Sequence, residues 1–353
     1  MQPYNIYPND AWYVATFSAD LKDLPVARTI CGEPIVLFRT ASGVIAALED
    51  RCIHRGVPLA GGECVGEIIR CPYHGMEYDV SGICTKVPGQ DRLPANARVR
   101  SFPVAEKDAM VWIWLGESEK ADIKAIPSHH YHDDPGWAWS SIFLKVECDW
   151  QLLNDNLMDL THLGYVHKQT IGGDPDAHTM NIDLKTTRSG NRVEVKRWLP
   201  NTNPPPFYSL GNSFSGKIDR WQEIDFTPGL VRIWSGGTDA GTGAYEGRRV
   251  GGVQFMGLHA VTPSTATSCY YHFTQSRNFK LDTSTELHKK IHDGALFTLL
   301  EDKTVLEAQQ KRLLDNPERG LINIKWDIGP LQARRVIEER VATEAEQRLA
   351  SAG

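Results

Sequence analysis

The chain has 353 residues, more than one ordinary domain, and its 41% hydrophobic residues and ten tryptophans speak for packed domains and against disorder. A formal net charge of −6 and a pI near 6.1 argue against a nucleic-acid partner held by electrostatics. No apolar run approaches the roughly 20 residues that cross a bilayer, and the opening MQPYNIYPNDAWYVATF has no basic segment leading into an apolar core, so neither a membrane span nor a secretory signal is expected.

From Trp12 to about Gly116 the chain alternates short β-prone runs (WYVAT, PIVLFR, GVIAALE, EIIRC, VWIWLG) with turn signals at Gly32, Gly43, Gly66 and Gly82, the pattern of a small antiparallel all-β domain. Two mixed pairs stand inside it: Cys52-x-His54 and Cys71-x-x-His74, separated by 16 residues, with Gly56, Pro58, Pro72 and Gly75 as turn formers. Two thiolates on one iron and two imidazoles on the other is the ligand set of a Rieske-type [2Fe–2S] centre. A Cys2His2 zinc site uses the same residues, but its spacing keeps the cysteines together and the histidines together. The mixed pairing favours the cluster. The other five cysteines (Cys31, Cys64, Cys84, Cys148, Cys269) are scattered and read as free thiols of a reducing compartment, which points to the cytoplasm.

A polar stretch follows, with a linker expected over residues 121–135; its His129, His130 and His132 read as surface residues of a solvated segment. The expected division is 1–120, the linker, and a second domain over 136–353. That domain opens on the strand-like FLKVECDW and the helical QLLNDNLMDLTHLGYVH. Strand patterns then run through 180–275 (RVEVKRWLP, IDRWQEIDF, LVRIWSGG, VQFMGLHAV, SCYYHFTQS). A long helix is predicted from about Thr283, where Thr283 and Glu286 form a capping box, to Asn316-Pro317, and an amphipathic Arg/Glu-rich helix closes the chain. The fold class is α+β.

Asp159, His162 and His167 offer one carboxylate and two imidazoles, the ligand types of a facial-triad Fe(II) centre. Asp159 and His162 share a helix face. His162 and His167, five apart, lie about 140° around a regular helix and cannot aim at one metal; a bulge at Gly164 is one way to bring them together. Two unrelated histidines are the plain alternative.

The wording CxHRG…CPYHG, DNLMDLTHxxxVH and LLEDKTVLEAQQ, with KIDRWQ, TGAYEGRRV, TQSRNF and ERGLINIKWDIGPLQARRVIEE, resembles the Rieske non-haem iron oxygenases over nearly the whole chain. The likeness is strongest to the vanillate O-demethylase, dicamba O-demethylase and toluenesulfonate methyl-monooxygenase group. It implies an N-terminal all-β Rieske domain and a C-terminal domain with an antiparallel sheet flanked by helices, of the helix-grip type. It implies one [2Fe–2S] cluster on Cys52, His54, Cys71 and His74, and one mononuclear Fe(II) on His162, His167 and Asp302, with Glu301 as the neighbouring competitor for the third ligand. In such relatives Asn156 lies near the iron. Asp159 hydrogen-bonds the first iron histidine and, across a subunit boundary of a head-to-tail ring (usually a homotrimer), a cluster histidine, here His74.

By the same resemblance the chain is the terminal oxygenase of a multicomponent monooxygenase that uses O2 to hydroxylate a methoxy or methyl carbon of a small aromatic acid. O-demethylation to a phenol and formaldehyde, with a vanillate-like substrate, is favoured, and methyl hydroxylation of an arylsulfonate is the alternative. His259 matches a substrate-binding position, Trp234 falls near another, and Arg232 and Arg248 are candidates for a substrate anion. No GxGxxG opens a βαβ unit, so electrons are expected from a separate NADH-dependent reductase carrying FMN and a [2Fe–2S] cluster. A non-enzymatic Rieske electron carrier and a ring cis-dihydroxylase are the other readings.

Overall fold

The computed structural model describes residues 7–179 and 182–352; the first six residues of the opening segment lie outside them. The chain divides into one unit of residues 7–128 with 262–265 and another of 129–261 with 266–353.

In the first unit eleven short strands build three small sheets. β1 (Trp12–Phe17), β10 (Val104–Lys107) and β11 (Met110–Trp114) make one. β2 (Val26–Ile30), β3 (Glu33–Arg39), β4 (Ile45–Glu49) and β9 (Ser101–Phe102) make the second. The third, of β5 (Glu63–Val65), β6 (Ile68–Arg70), β7 (Glu77–Tyr78) and β8 (Cys84–Lys86), carries one of the two Cys–His loops between β6 and β7. Strands this short bury little area alone, so the sheets share a core: Val36, Phe38, Leu48, Leu59, Ile69 and Tyr78 enclose both Cys52 and Cys71.

The second unit is one seven-stranded antiparallel sheet. Its strands are β12 (Ala138–Val146), β13 (Asp183–Ser189), β14 (Arg192–Thr202), β15 (Ile218–Thr227), β16 (Leu230–Asp239), β17 (Val253–Thr265) and β18 (Ser268–Arg277), in the order β12-β18-β17-β16-β15-β14-β13. Four helices accompany it: α1 (Trp150–Met158), the single turn α2 (Leu163–Val166), α3 (Glu286–Asp315) and α4 (Ile328–Ala352). Strict alternation along β15 and β16 decides which side chains meet the helices, because cross-strand partners share a face. Gln222 pairs with Ser235 and Glu223 with Trp234, so the first pair looks one way and the second the other.

Three expectations change. The α3 helix starts at Glu286, three residues later than Thr283, with Thr285 as its cap, accepting from the His288 N–H at 3.3 Å. A capping side chain must stand next to the first helical turn, and Thr283 is too far back. His129 is fully buried, and His132 Nε2 lies 2.9 Å from Thr274 Oγ1 on β18; only His130 is exposed. His129 and His132 are therefore held by the fold and do not stand in solvent. The predicted helix over 151–167 is broken at Asp159, whose extended backbone (φ −123°, ψ 104°) ends α1.

Candidate metal centres and substrate cavity

The two Cys–His loops are built alike. Gly56 N–H donates to Cys52 C=O at 2.9 Å and Cys52 N–H to Val57 C=O at 2.9 Å; Gly75 N–H donates to Cys71 C=O at 3.1 Å and Cys71 N–H to Met76 C=O at 2.8 Å. Each turn closes on a glycine four residues after its cysteine, at φ 73° and 71°, a backbone that side chains disfavour. Both cysteines are buried and neighbouring, whereas both histidines are exposed, with ring centroids 4.6 Å apart. Tyr78 Oη stands 3.1 Å from Cys52 Sγ. Burial pushes the Cys71 thiol up, with backbone N–H groups of Tyr73 and His74 working the other way. Two adjoining sulfurs inside and two adjoining imidazoles at the rim fit the mixed ligation of a Rieske cluster.

In the second unit the break at Asp159 re-aims the chain. The Asp159 carboxylate caps the following turn (Leu160–His162), accepting from Thr161 N–H and Thr161 Oγ1, each at 2.9 Å. The hydrogen bond expected between Asp159 and His162 therefore runs through the backbone: His162 Nδ1 lies 2.7 Å from the Asp159 carbonyl, the carboxylate being engaged by Thr161. Gly164 is not the break. It sits in α2, where a Cβ would meet the Pro175 Cα at 2.4 Å, so its role is clearance.

The result is a tight donor set. His162, His167 and Asp302 each direct a ligand atom to one point, all within 4.8 Å of one another. His167 Nε2 is 3.0 Å and His162 Nε2 3.4 Å from Asp302 Oδ1, and Asn156 Nδ2 donates to the same oxygen at 3.0 Å. Burial alone would raise the Asp302 carboxyl; hydrogen bonds with the two imidazoles reverse this and hold it below the usual carboxylate range, so it is ionised. Glu301 lies outside this donor set. Its Oε2 accepts from His167 Nδ1 at 2.8 Å, just as the Asp159 carbonyl accepts from His162 Nδ1. With Nδ1 committed to these acceptors, each ring turns Nε2 to Asp302, where a cation would replace the Nε2 protons, an outer support typical of metal-binding histidines. Two imidazoles and one carboxylate, with room beside them, fit a mononuclear iron.

Beside these donors lies a mostly apolar cavity of about 110 Å³, on the scale of the roughly 150 Å³ that accommodates a benzene ring. Leu160, Ile233, Phe255, Phe273 and Leu299 supply apolar wall. His259 is in the lining, as the sequence led one to expect. Trp234 and Arg232 are not. Alternation along β16 turns Ile233 and Ser235 to the cavity and these two away. Arg232 pairs with Asp225, and Trp234 lies on the outer face, its Nε1–H donating to Gln254 Oε1 at 3.2 Å beneath the Arg249 guanidinium. Arg248 is exposed and bonds to Thr242 C=O at 3.2 Å.

Sequence reasoning missed Arg220. It is buried in the cavity lining, donates to the carbonyls of Ile171 and Gly172 at 3.0 and 3.1 Å, and has no carboxylate in ion-pair distance among the described residues. The one available signal was its even spacing from Gln222 on a strand face whose other residues, Ile218, Ile224 and Phe226, are apolar.

A Rieske [2Fe–2S] domain model matches residues 11–103, and the model of the vanillate O-demethylase oxygenase C-terminal domain matches residues 146–343. The chain is 39% identical to the putative toluene-4-sulfonate monooxygenase system iron-sulfur subunit of Comamonas testosteroni, over 95% of this chain and 97% of that one. It is 36% identical to the vanillate O-demethylase oxygenase subunit of a Pseudomonas species, over 97% of each. Its fold superposes on dicamba monooxygenase bound to 3,6-dichlorosalicylic acid with a TM-score of 0.88 at 32% identity, covering 96% of this chain and 99% of the other. The chain belongs to the Rieske non-haem iron oxygenases. It is the oxygenase component of a Rieske monooxygenase, its cofactors are a [2Fe–2S] cluster and a mononuclear iron, and its electrons come from a separate reductase. Among the described residues no helix is long and apolar enough to cross a membrane.

Proposed function

We propose that this oxygenase hydroxylates the methoxy or methyl carbon of a single-ring aromatic acid, with O-demethylation the favoured course. The observation that carries the reading is the cavity: ring-sized, apolar on its walls, bordered by the three candidate metal donors, and holding a buried guanidinium, Arg220, with no carboxylate in ion-pair distance among the described residues. An anionic substituent near Arg220 offsets that buried charge, while the apolar walls take the ring. The bound iron and cluster supply O2 activation and electrons. The net step consumes O2, two electrons and two protons, inserts one oxygen atom into a C–H bond and releases water. From a methoxy group the resulting hemiacetal collapses to phenol and formaldehyde; from an aryl methyl group the alcohol is stable.

In this reading Cys52, His54, Cys71 and His74 hold the cluster, His162, His167 and Asp302 hold the iron, and Asn156 stands beside it, over a Rieske domain of 1–120, a linker of 121–135 and a catalytic domain of 136–353. Asp159 is the bridge by which an electron leaves His74 of a neighbouring subunit in a head-to-tail homotrimer in the cytoplasm. The reductase is NADH-dependent, with FMN and a [2Fe–2S] cluster. Methyl hydroxylation of an arylsulfonate is the second reading, supported by the 39% identity to the sulfonate-system subunit.

A panel of methoxybenzoates and methylbenzenesulfonates, each beside its neutral methyl ester or amide, decides between them with a surrogate reductase. Formaldehyde from methoxy acids is the expected product. Benzylic alcohol from sulfonates alone selects the second reading, and turnover of the neutral analogues as fast as the acids overturns the acidic substrate. A monomer with full activity on sizing chromatography overturns the ring.

A further inference from the structure

We propose that Tyr271 is a positioning residue for substrate: its hydroxyl donates to Nδ1 of His259, confining the imidazole to the tautomer with its proton on Nε2 and presenting a neutral N–H donor to the cavity. The inference rests on the reading of that cavity as the substrate site.

The geometry leaves the ring little choice. His259 Nδ1 and Tyr271 Oη are 2.5 Å apart, the two rings lie nearly parallel (22°), and Phe273 packs on the imidazole with centroids 4.8 Å apart. Both residues are buried, and both line the cavity. Burial pushes His259 down to about 3, so the ring is neutral at physiological pH and carries one proton.

Where that proton sits follows from the unmet groups each choice leaves. Tyr271 has no other hydrogen-bond partner among the described residues, and neither has His259 Nε2. If Nδ1 carried the proton, it would donate to the phenol oxygen, leaving the tyrosine O–H as a buried donor without an acceptor and Nε2 as an idle acceptor. If the tyrosine donates, its own lone pairs go unused, which costs little, and the single unmet donor is Nε2–H, at the cavity. Each arrangement leaves one unmet donor, but the first strands it on a side chain only 2% exposed and idles Nε2 as well, whereas the second places it at the cavity, where water or a substrate acceptor can meet it, so the second arrangement wins.

Gly257 holds the place open. On β17, one alternate position before His259, it lines the same cavity, and a Cβ there would stand 2.6 Å from His259 Nε2. The donor is therefore seated over bare backbone. A neutral N–H that shares its cavity with a buried guanidinium recognises acceptor groups such as carboxylate, sulfonate or phenolate oxygens, and offers nothing to a substituent that can only donate.

Nitrogen-15 spectra of the holoenzyme labelled at histidine, with His259 identified by its loss in His259→Gln, read the tautomer without any substrate. The expected wild-type signature is a neutral ring protonated on Nε2 across the neutral pH range, changing to a mixture or to the other tautomer in Tyr271→Phe. A ring protonated on Nδ1, or an imidazolium, in the wild type overturns the proposal. With substrate, Tyr271→Phe raises KM for the acid about tenfold, more than it lowers kcat, changes binding of a neutral analogue without the acid group less than twofold, and adds nothing further in a His259→Gln background. Equal loss for both ligands, or additive losses, means the hydroxyl serves only the fold. Gly257→Ala displaces the imidazole and repeats the acid-selective loss with iron still bound. Should no acid of the panel bind the wild type, the substrate reading fails while the tautomer result still stands or falls by its spectrum.

Discussion

The two proposed metal-binding regions solve the same problem by opposite means. Each cluster loop is closed by its own backbone: cysteine, histidine and turning glycine lie within five residues, and one hydrogen-bond pattern is used twice. The proposed iron site is assembled at long range. Asp302 meets His167 across 135 positions of sequence, through a 30-residue helix whose other neighbours hold it in place. A local loop is defined by turn chemistry, whereas a distributed site depends on helix register, so an error of one residue in α3 would exchange Asp302 for Glu301.

The sharpest test of that contrast is a pair of ligand removals. Asp302→Ala abolishes turnover and iron retention while leaving the visible spectrum of the cluster; Cys71→Ser removes that spectrum and leaves iron in the other unit. Metal analysis beside absorption spectroscopy checks both, and loss of both metals in either variant would break the picture of two separately built sites.

Next in size is Glu301→Ala, which takes away the acceptor that orients His167. Iron affinity falls about 10–100-fold, and turnover recovers with added Fe(II), because the three proposed ligands remain. An unchanged dissociation constant would mean that the register of α3 matters for Asp302 alone.

A smaller effect concerns the start of α1, the helix that delivers Asn156. Asp149 caps it, accepting from Gln151 N–H at 2.8 Å, and burial pushes its carboxyl from near 3.8 up to about 7. The folded state thus holds a proton that the unfolded chain gives up. Stability from this group is complete below about pH 4 and is lost as pH rises through 7. Asp149→Asn, which keeps the cap, flattens that slope and gains roughly 1–3 kcal/mol at pH 8. Chemical denaturation at pH 5 and pH 8 measures it; equal slopes in both proteins would remove Asp149 from the account.

The smallest effect is at the glycine turns of the cluster loops. Gly75→Ala forces a side chain to φ 71° with a Cβ 3.2 Å from Pro88 Cγ, a cost of about 1–2 kcal/mol to the first unit. Thermal unfolding followed by cluster bleaching reads it, with the iron unaffected.

The sequence by itself determined what travels in short range. The Cys–His pairs, their glycines, the β-prone runs, the ends of α3 to within three residues and the DNLMDLTH segment are legible because turn, cap and ligand chemistry act over a few positions. Only the tertiary structure decided the rest. It placed the helix break at Asp159 and not at Gly164, gave Glu301 to His167, turned Arg232 and Trp234 away from the cavity and brought Arg220 and Tyr271 into it. Those outcomes depend on which face of a strand meets the helices and which turn of a helix meets the loop, and a one-residue step reverses either. Spacing tells which side chains share a face, and packing alone tells what that face looks at.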